Sequence, residues 1–139
     1  MKRFVLVCIT LSFVVLTVIA NTKFEDALKN CSSYYESGVV ETEGLQIQST
    51  KQISGWENNK CKYVESVNFA GVNSTTTCKF TKPQINEIVS VMKAYDLVHK
   101  YSNEQVDTST LSATQNNPVV KVWQKYFQDS SVCTISGLE

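Results

Sequence analysis

His99 is the only imidazole in the chain, so a Ser-His or Cys-His nucleophile system would have to be built around it. The other candidates for proton chemistry are carboxylates. Glu36, Glu41, Glu43, Glu57 and Glu65 fall in a stretch of alternating polarity, and Glu65 has the parity of its apolar positions. A carboxyl buried that way has a raised pKa and sometimes a role. Two-carboxylate hydrolysis also needs a cleft, and a chain of 139 residues has little room for one. Both groups also have bland readings. His99 lies on the apolar stripe of a long helix, as structural histidines do. Glu65 at that parity pairs with a lysine or sits at a frayed edge. No Gly-x-Ser-x-Gly elbow or His-Glu-x-x-His pair is present, and five glycines leave no phosphate-cradling loop. No catalytic residue and no cofactor is therefore assigned. A non-enzymatic binding module is the leading expectation. A small hydrolase using Glu65 with another carboxylate or His99, or a carrier of a small apolar ligand, is the alternative.

The cysteines point to compartment rather than catalysis. Met1-Lys2-Arg3 is followed by an uncharged run from Phe4 to Ala20, ending in Val18-Ile19-Ala20. This is the layout of a secretory signal peptide, expected to span 1–20 with cleavage before Asn21. Residues 21–139 would then form one domain, secreted or periplasmic, with no stable membrane span. They hold Cys31, Cys61, Cys78 and Cys133. An even count in a small exported domain reads as two disulfides. No Cys-x-x-Cys pair accompanies them, which argues against a metal site.

Composition narrows the partner. The chain is 42% apolar and 19% charged, an ordinary globular balance. Without the leader it has 11 basic and 13 acidic residues and no arginine. Nucleic-acid binders carry a basic stripe, so nucleic acid is excluded as a partner, and another protein or a cell-envelope component is expected. Three aromatics are candidate binding residues: Trp56, in the loop Gly55-Trp56-Glu57-Asn58-Asn59, and Tyr34 and Tyr35 just past Cys31. The polar positions Gln46, Gln48, Thr50, Gln52, Asn68 and Thr77 form a second candidate surface. Asn30-Cys31-Ser32 and Asn73-Ser74-Thr75 fit the N-glycosylation pattern, which has meaning only in a eukaryotic secretory path.

These residues must be positioned by an α+β fold. Thr22 to Glu25 fits a capping box, and Phe24, Ala27, Leu28 and Cys31 recur at helical spacing, predicting a helix over 23–32. Period-two patterning then predicts a four-stranded antiparallel meander over 36–42, 45–54, 60–69 and 75–80. Thr81-Lys82-Pro83-Gln84 is a second capping box, opening a helix over 82–102 with Phe80 and Ile85 as a hydrophobic staple. Residues 103–116 are polar apart from Val106, Leu111 and Ala113. Asn117-Pro118 opens a last helix to about Gln128. Both C-terminal helices are expected to cover one sheet face.

Turn chemistry bears on the disulfides. Gly71-Val72 makes a type II′ turn and sets Tyr63 opposite Phe80 and Glu65 opposite Cys78. In that register Cys61 is too far along its strand to bridge Cys78. A meander gathers the start of strand 1, the start of strand 3 and the end of strand 4 at one end. This favours Cys31–Cys61 with Cys78–Cys133. A helix followed by a four-stranded antiparallel sheet with two disulfides resembles the cystatin protease inhibitors in architecture. Gln52-Ile53-Ser54-Gly55 is one residue short of their hairpin motif, and the two C-terminal helices have no counterpart there. The resemblance implies architecture and does not carry function.

Overall fold

The computed structural model describes residues 22–102 and 116–137. The signal-peptide reading of 1–20, the positions of Val106, Leu111 and Ala113, and the side chain of His99 lie outside the described residues. The architecture is α+β. Helix α1 (Thr22–Asn30) leads into strands β1 (Tyr34–Thr42), β2 (Leu45–Glu57), β3 (Lys60–Phe69) and β4 (Val72–Phe80). Helices α2 (Lys82–Ser102) and α3 (Pro118–Phe127) follow, and β5 (Cys133–Ser136) ends the fold. The sheet is antiparallel throughout, in the order β1-β2-β3-β4-β5.

The sheet has five strands, not the expected four. β5 pairs Cys133 through Ser136 with Cys78 through Thr75. Four residues are too few to show a period, so this strand exists only through its partner. The β3–β4 register also differs from expectation. The turn is Ala70-Gly71, with φ of 51° and 81°. Tyr63 therefore faces Cys78, Glu65 faces Thr76, and Cys61 faces Phe80. A two-residue turn with both φ values positive matches strand twist better than the alternatives. Alanine tolerates that conformation at a cost of about 1 kcal/mol. The two registers differ by two residues, so both set Cys61, Tyr63, Cys78 and Phe80 on the core side, where each is fully buried; what distinguishes them is the turn.

Local signals account for the helix ends. Thr81 donates its backbone N–H to Gln84 Oε1 at 2.8 Å, and the Ile85 N–H donates to Thr81 O at 3.0 Å. Asn117 caps α3, its Oδ1 accepting from the Val119 N–H at 2.8 Å. Helix α1 begins at Thr22 itself, so Thr22 is inside the helix rather than its cap.

All three helices pack on one sheet face. Phe24 and Leu28 of α1, Ile85 and Ile88 of α2, and Val119, Val120 and Trp123 of α3 are almost wholly buried. They meet Ile53, Tyr63 and Phe80 from the sheet. Trp123 is the hub, with ring centroids 5.3 Å from Tyr63, 5.9 Å from Phe80, 5.5 Å from Phe127 and 6.3 Å from Phe24. Two disulfides fasten this end of the sheet. Cys31–Cys61 joins the segment after α1 to β3, and Cys78–Cys133 joins β4 to β5. Stable disulfides belong to oxidising compartments. Among the described residues no helix is long and apolar enough to cross a membrane. Both facts are compatible with an extracellular or periplasmic location.

Candidate functional site

Strand parity builds a charged row across the helix-facing side of the sheet. Leu45, Ile47, Ser49, Lys51 and Ile53 share one face of β2, so Lys51 points the same way as the apolar residues around it. Register sets Lys51 opposite Glu36 on β1 and opposite Glu65 on β3, and Glu65 opposite Thr76 on β4. Neighbouring strands are about 4.8 Å apart, so the ammonium stem is flanked by two carboxylate stems. Lys51 is 6% exposed and Glu65 is 3% exposed.

Burial dominates the electrostatics of this row. It raises the Glu65 pKa to about 7, against the opposing pull of Lys51 and of the Tyr63 hydroxyl. The same desolvation lowers Lys51, while Glu65 and Glu36 hold it up. The Lys51 ammonium also lies 5.3 Å from the centre of the Phe24 ring, a favourable cation–π placement. Tyr63 is pushed well above its ordinary value, first by burial and then by Glu65. Its approach to Glu65 is electrostatic only, since Tyr63 Oη and Glu65 Oε1 both lack a hydrogen-bond partner. At the β1 end, Tyr34 donates its hydroxyl to Glu36 Oε2 at 2.9 Å. The row can therefore hold a proton on Glu65 near neutral pH. Its interior position keeps that proton away from solvent.

A second carboxyl cluster joins two helices. Glu25 of α1 is only 5% exposed, and its carboxyl lies beside that of Asp96 of α2. Burial comes first, then the neighbouring Asp96, in holding Glu25 well above the usual carboxylate range; Lys93 works the other way. Glu25 was expected to close a capping box with Thr22. With Thr22 inside the helix, its side chain turns instead to α2. On the surface, Glu87 of α2 accepts from Lys125 Nζ at 2.9 Å and from the Tyr126 hydroxyl. These bonds, Tyr126 first, lower the Glu87 pKa.

The structure separates the aromatic candidates. Tyr34 and Tyr35 are consecutive strand residues and so face opposite ways. Tyr34 is half-buried, its ring edge-on to Phe24 at 5.5 Å. Tyr35 is 65% exposed on the outer face, opposite Gln52. Trp56 is 46% exposed at the end of β2, beyond a bulge between Ile53 and Gly55. Gly55 takes φ of 112° there and lies against the Cys31 backbone, so the bulge fits around the disulfide. The three aromatics do not form one patch.

The polar outer face is continuous. Gln48 faces Val39 and Asn68, Thr50 faces Ser37 and Ser66, and Gln52 faces Tyr35 and Val64, with Thr77 next in that row. Cross-strand bonds tie it together, Asn68 Nδ2 donating to Asn73 Oδ1 at 2.7 Å and Gln46 Nε2 to Glu41 Oε1 at 2.8 Å. Only two large hydrophobics are strongly exposed on this face among the described residues, Tyr35 and Val39, and both are on β1.

Sequence reasoning missed Lys51, Glu25 and Asp96. The parity of Lys51 was the available signal, since it sits between Ile47 and Ile53 in a period-two run. No protein-family model, curated protein or solved structure matches this chain.

Proposed function

We propose that the chain is an exported, disulfide-stapled binding module that recognises another protein through the outer side of its sheet at β1. Cleavage before Asn21 would release residues 21–139 into the oxidising space where the two bridges form. The observation that carries this reading is the placement of Tyr35 and Val39. Among the described residues Leu45, Trp56, Val72 and Leu97 are also exposed, but Tyr35 and Val39 are the two most exposed large apolar residues, and both lie on the outer face of one edge strand. An edge strand with exposed apolar side chains is a template for pairing unless charges or proline blunt it; β1 has no lysine or proline, and its only charges are Glu36, held by Tyr34, and Glu41, held by Gln46. The buried row supports the same reading, because Lys51 and Glu65 lie too deep to meet a substrate in this fold.

The test compares oxidised residues 21–139 with the doubly substituted Tyr35→Ser, Val39→Ser form as baits in extract from the source organism. A partner captured by the unsubstituted bait and lost with the substituted one supports the proposal. Equal capture by both, with the substituted form folded by near-ultraviolet circular dichroism, overturns it.

A further inference from the structure

We propose that the partner of β1 is a second copy of this chain, docked antiparallel about a twofold axis at Gly38 to give one continuous sheet. This rests on the reading of β1 as the docking strand and names its occupant.

Three features of the strand lead there. The first is the open edge. Among the described residues β1 pairs only with β2, and Ser37, Gly38 and Val39 are all exposed at its middle. The second is the glycine. Gly38 has no left-handed φ, and a Cβ there would meet nothing nearer than Ser49 Oγ at 4.0 Å. The subunit's own structure therefore gives no reason for a glycine in mid-strand. A mid-strand glycine often marks a place where another backbone comes close.

The third feature is register. β1 and β2 are joined by the two-residue turn Glu43-Gly44, with φ of 49° and 77°. In such a hairpin the flanking residues exchange hydrogen bonds, and bonded pairs alternate from there. The even residues of β1 thus bond to β2. The N–H and C=O groups of Tyr35, Ser37, Val39 and Glu41 point to the free edge. Full antiparallel overlap of two nine-residue strands puts Tyr35 opposite Glu41 and Ser37 opposite Val39 of the other copy. These are bonded pairs, giving about eight hydrogen bonds across the seam.

The twofold then falls on Gly38 facing Gly38, a non-bonded pair, where opposing backbones come closest. Neither strand carboxylate faces another. Glu36 lies opposite Val40, and Glu41 lies opposite the phenolic Tyr35. Helix α1 packs at the Tyr34 end of β1, where the other copy brings its Thr42 end rather than its own α1.

Oxidised residues 21–139 are studied alone, by sedimentation velocity and by amide exchange read by NMR along a dilution series. The expected result is reversible dimerisation. The amides of Tyr35, Ser37, Val39 and Glu41 should slow as concentration rises, while Glu36, Gly38 and Val40 stay protected throughout by β2. Ser37→Lys with Val39→Lys places like charges directly opposite across the seam and should weaken dimerisation at least tenfold. Near-ultraviolet circular dichroism confirms that this form is folded. A monomer at millimolar concentration with concentration-independent exchange overturns the proposal. So does a dimer that this double substitution leaves intact. If the chain is monomeric but the four amides slow on adding a partner captured as above, only the choice of occupant fails. If no such partner exists either, the docking reading fails with it.

Discussion

Replacing Glu65 by glutamine should change how stability depends on pH. Burial raises the Glu65 pKa from 4.5 to about 7 in the folded protein. The native state therefore holds this proton more tightly than the unfolded chain does. Its stabilising effect is complete below about pH 4.5 and is lost as pH rises through about 7. At about 1.4 kcal/mol per pH unit, the loss comes to about 3 kcal/mol. Glutamine is isosteric, has no proton to lose and fits the same space. Leaving Lys51 without its ionised neighbour adds an offset, but Glu65→Gln should gain on the unsubstituted protein by about 3 kcal/mol as pH rises from 4.5 to 8. Glu25 titrates in both proteins and cancels in the difference. Urea denaturation across that range measures it, and thermal unfolding should show a relative shift on the order of 10 °C. Parallel stability curves for the two proteins would refute the buried placement of Glu65.

Other perturbations test other parts of the fold. Loop entropy gives Cys31–Cys61, which closes 30 residues, and Cys78–Cys133, which closes 55, about 4 kcal/mol each. Serine pairs should lower stability by that order in urea titrations, slightly more for the longer loop. Ala70→Asn puts a residue that accepts positive φ before Gly71 and should stabilise by roughly 1 kcal/mol, seen as a higher urea midpoint with unchanged slope. Trp123→Ala empties the centre of the aromatic cluster and should cost about 3–5 kcal/mol. Trp56→Phe should leave stability nearly unchanged and remove the acrylamide-quenchable part of the fluorescence, leaving the buried Trp123 signal.

What the residues disclosed in advance was set by the length and strength of each pattern. Helix α2 was legible to its ends, because Thr81 and Gln84 cap it and its apolar stripe runs four turns. The strands were legible as alternation, though β4 starts at Val72 rather than at 75, since Asn73 looks like a turn residue. The β3–β4 register was not legible. Alanine is a poor advertisement for positive φ, and Gly71-Val72 looked the better turn. The disulfide pairing survived the register error, because Cys61 still lies two residues along β3 from the position opposite Cys78.

The charged row needed more than parity. Glu65 could be placed on the inner face alone, but its lysine neighbour required the β2–β3 register. Glu25 looked like a capping residue because local spacing cannot show that Asp96 arrives from 71 positions away. The expected meander already put β1 at an edge; the outward placement of Tyr35 needed the strand to start at Tyr34 rather than at 36.

The central claim is that recognition takes place on the outer side of β1 and not at the helical layer. A photo-crosslinking residue placed in turn at Tyr35, at Val39 and at Leu97 of α2, itself 54% exposed, tests it in cells that export the protein. Adducts from the first two positions and none from Leu97 are the predicted result. Adducts from Leu97 with none from Tyr35 or Val39 would contradict the account.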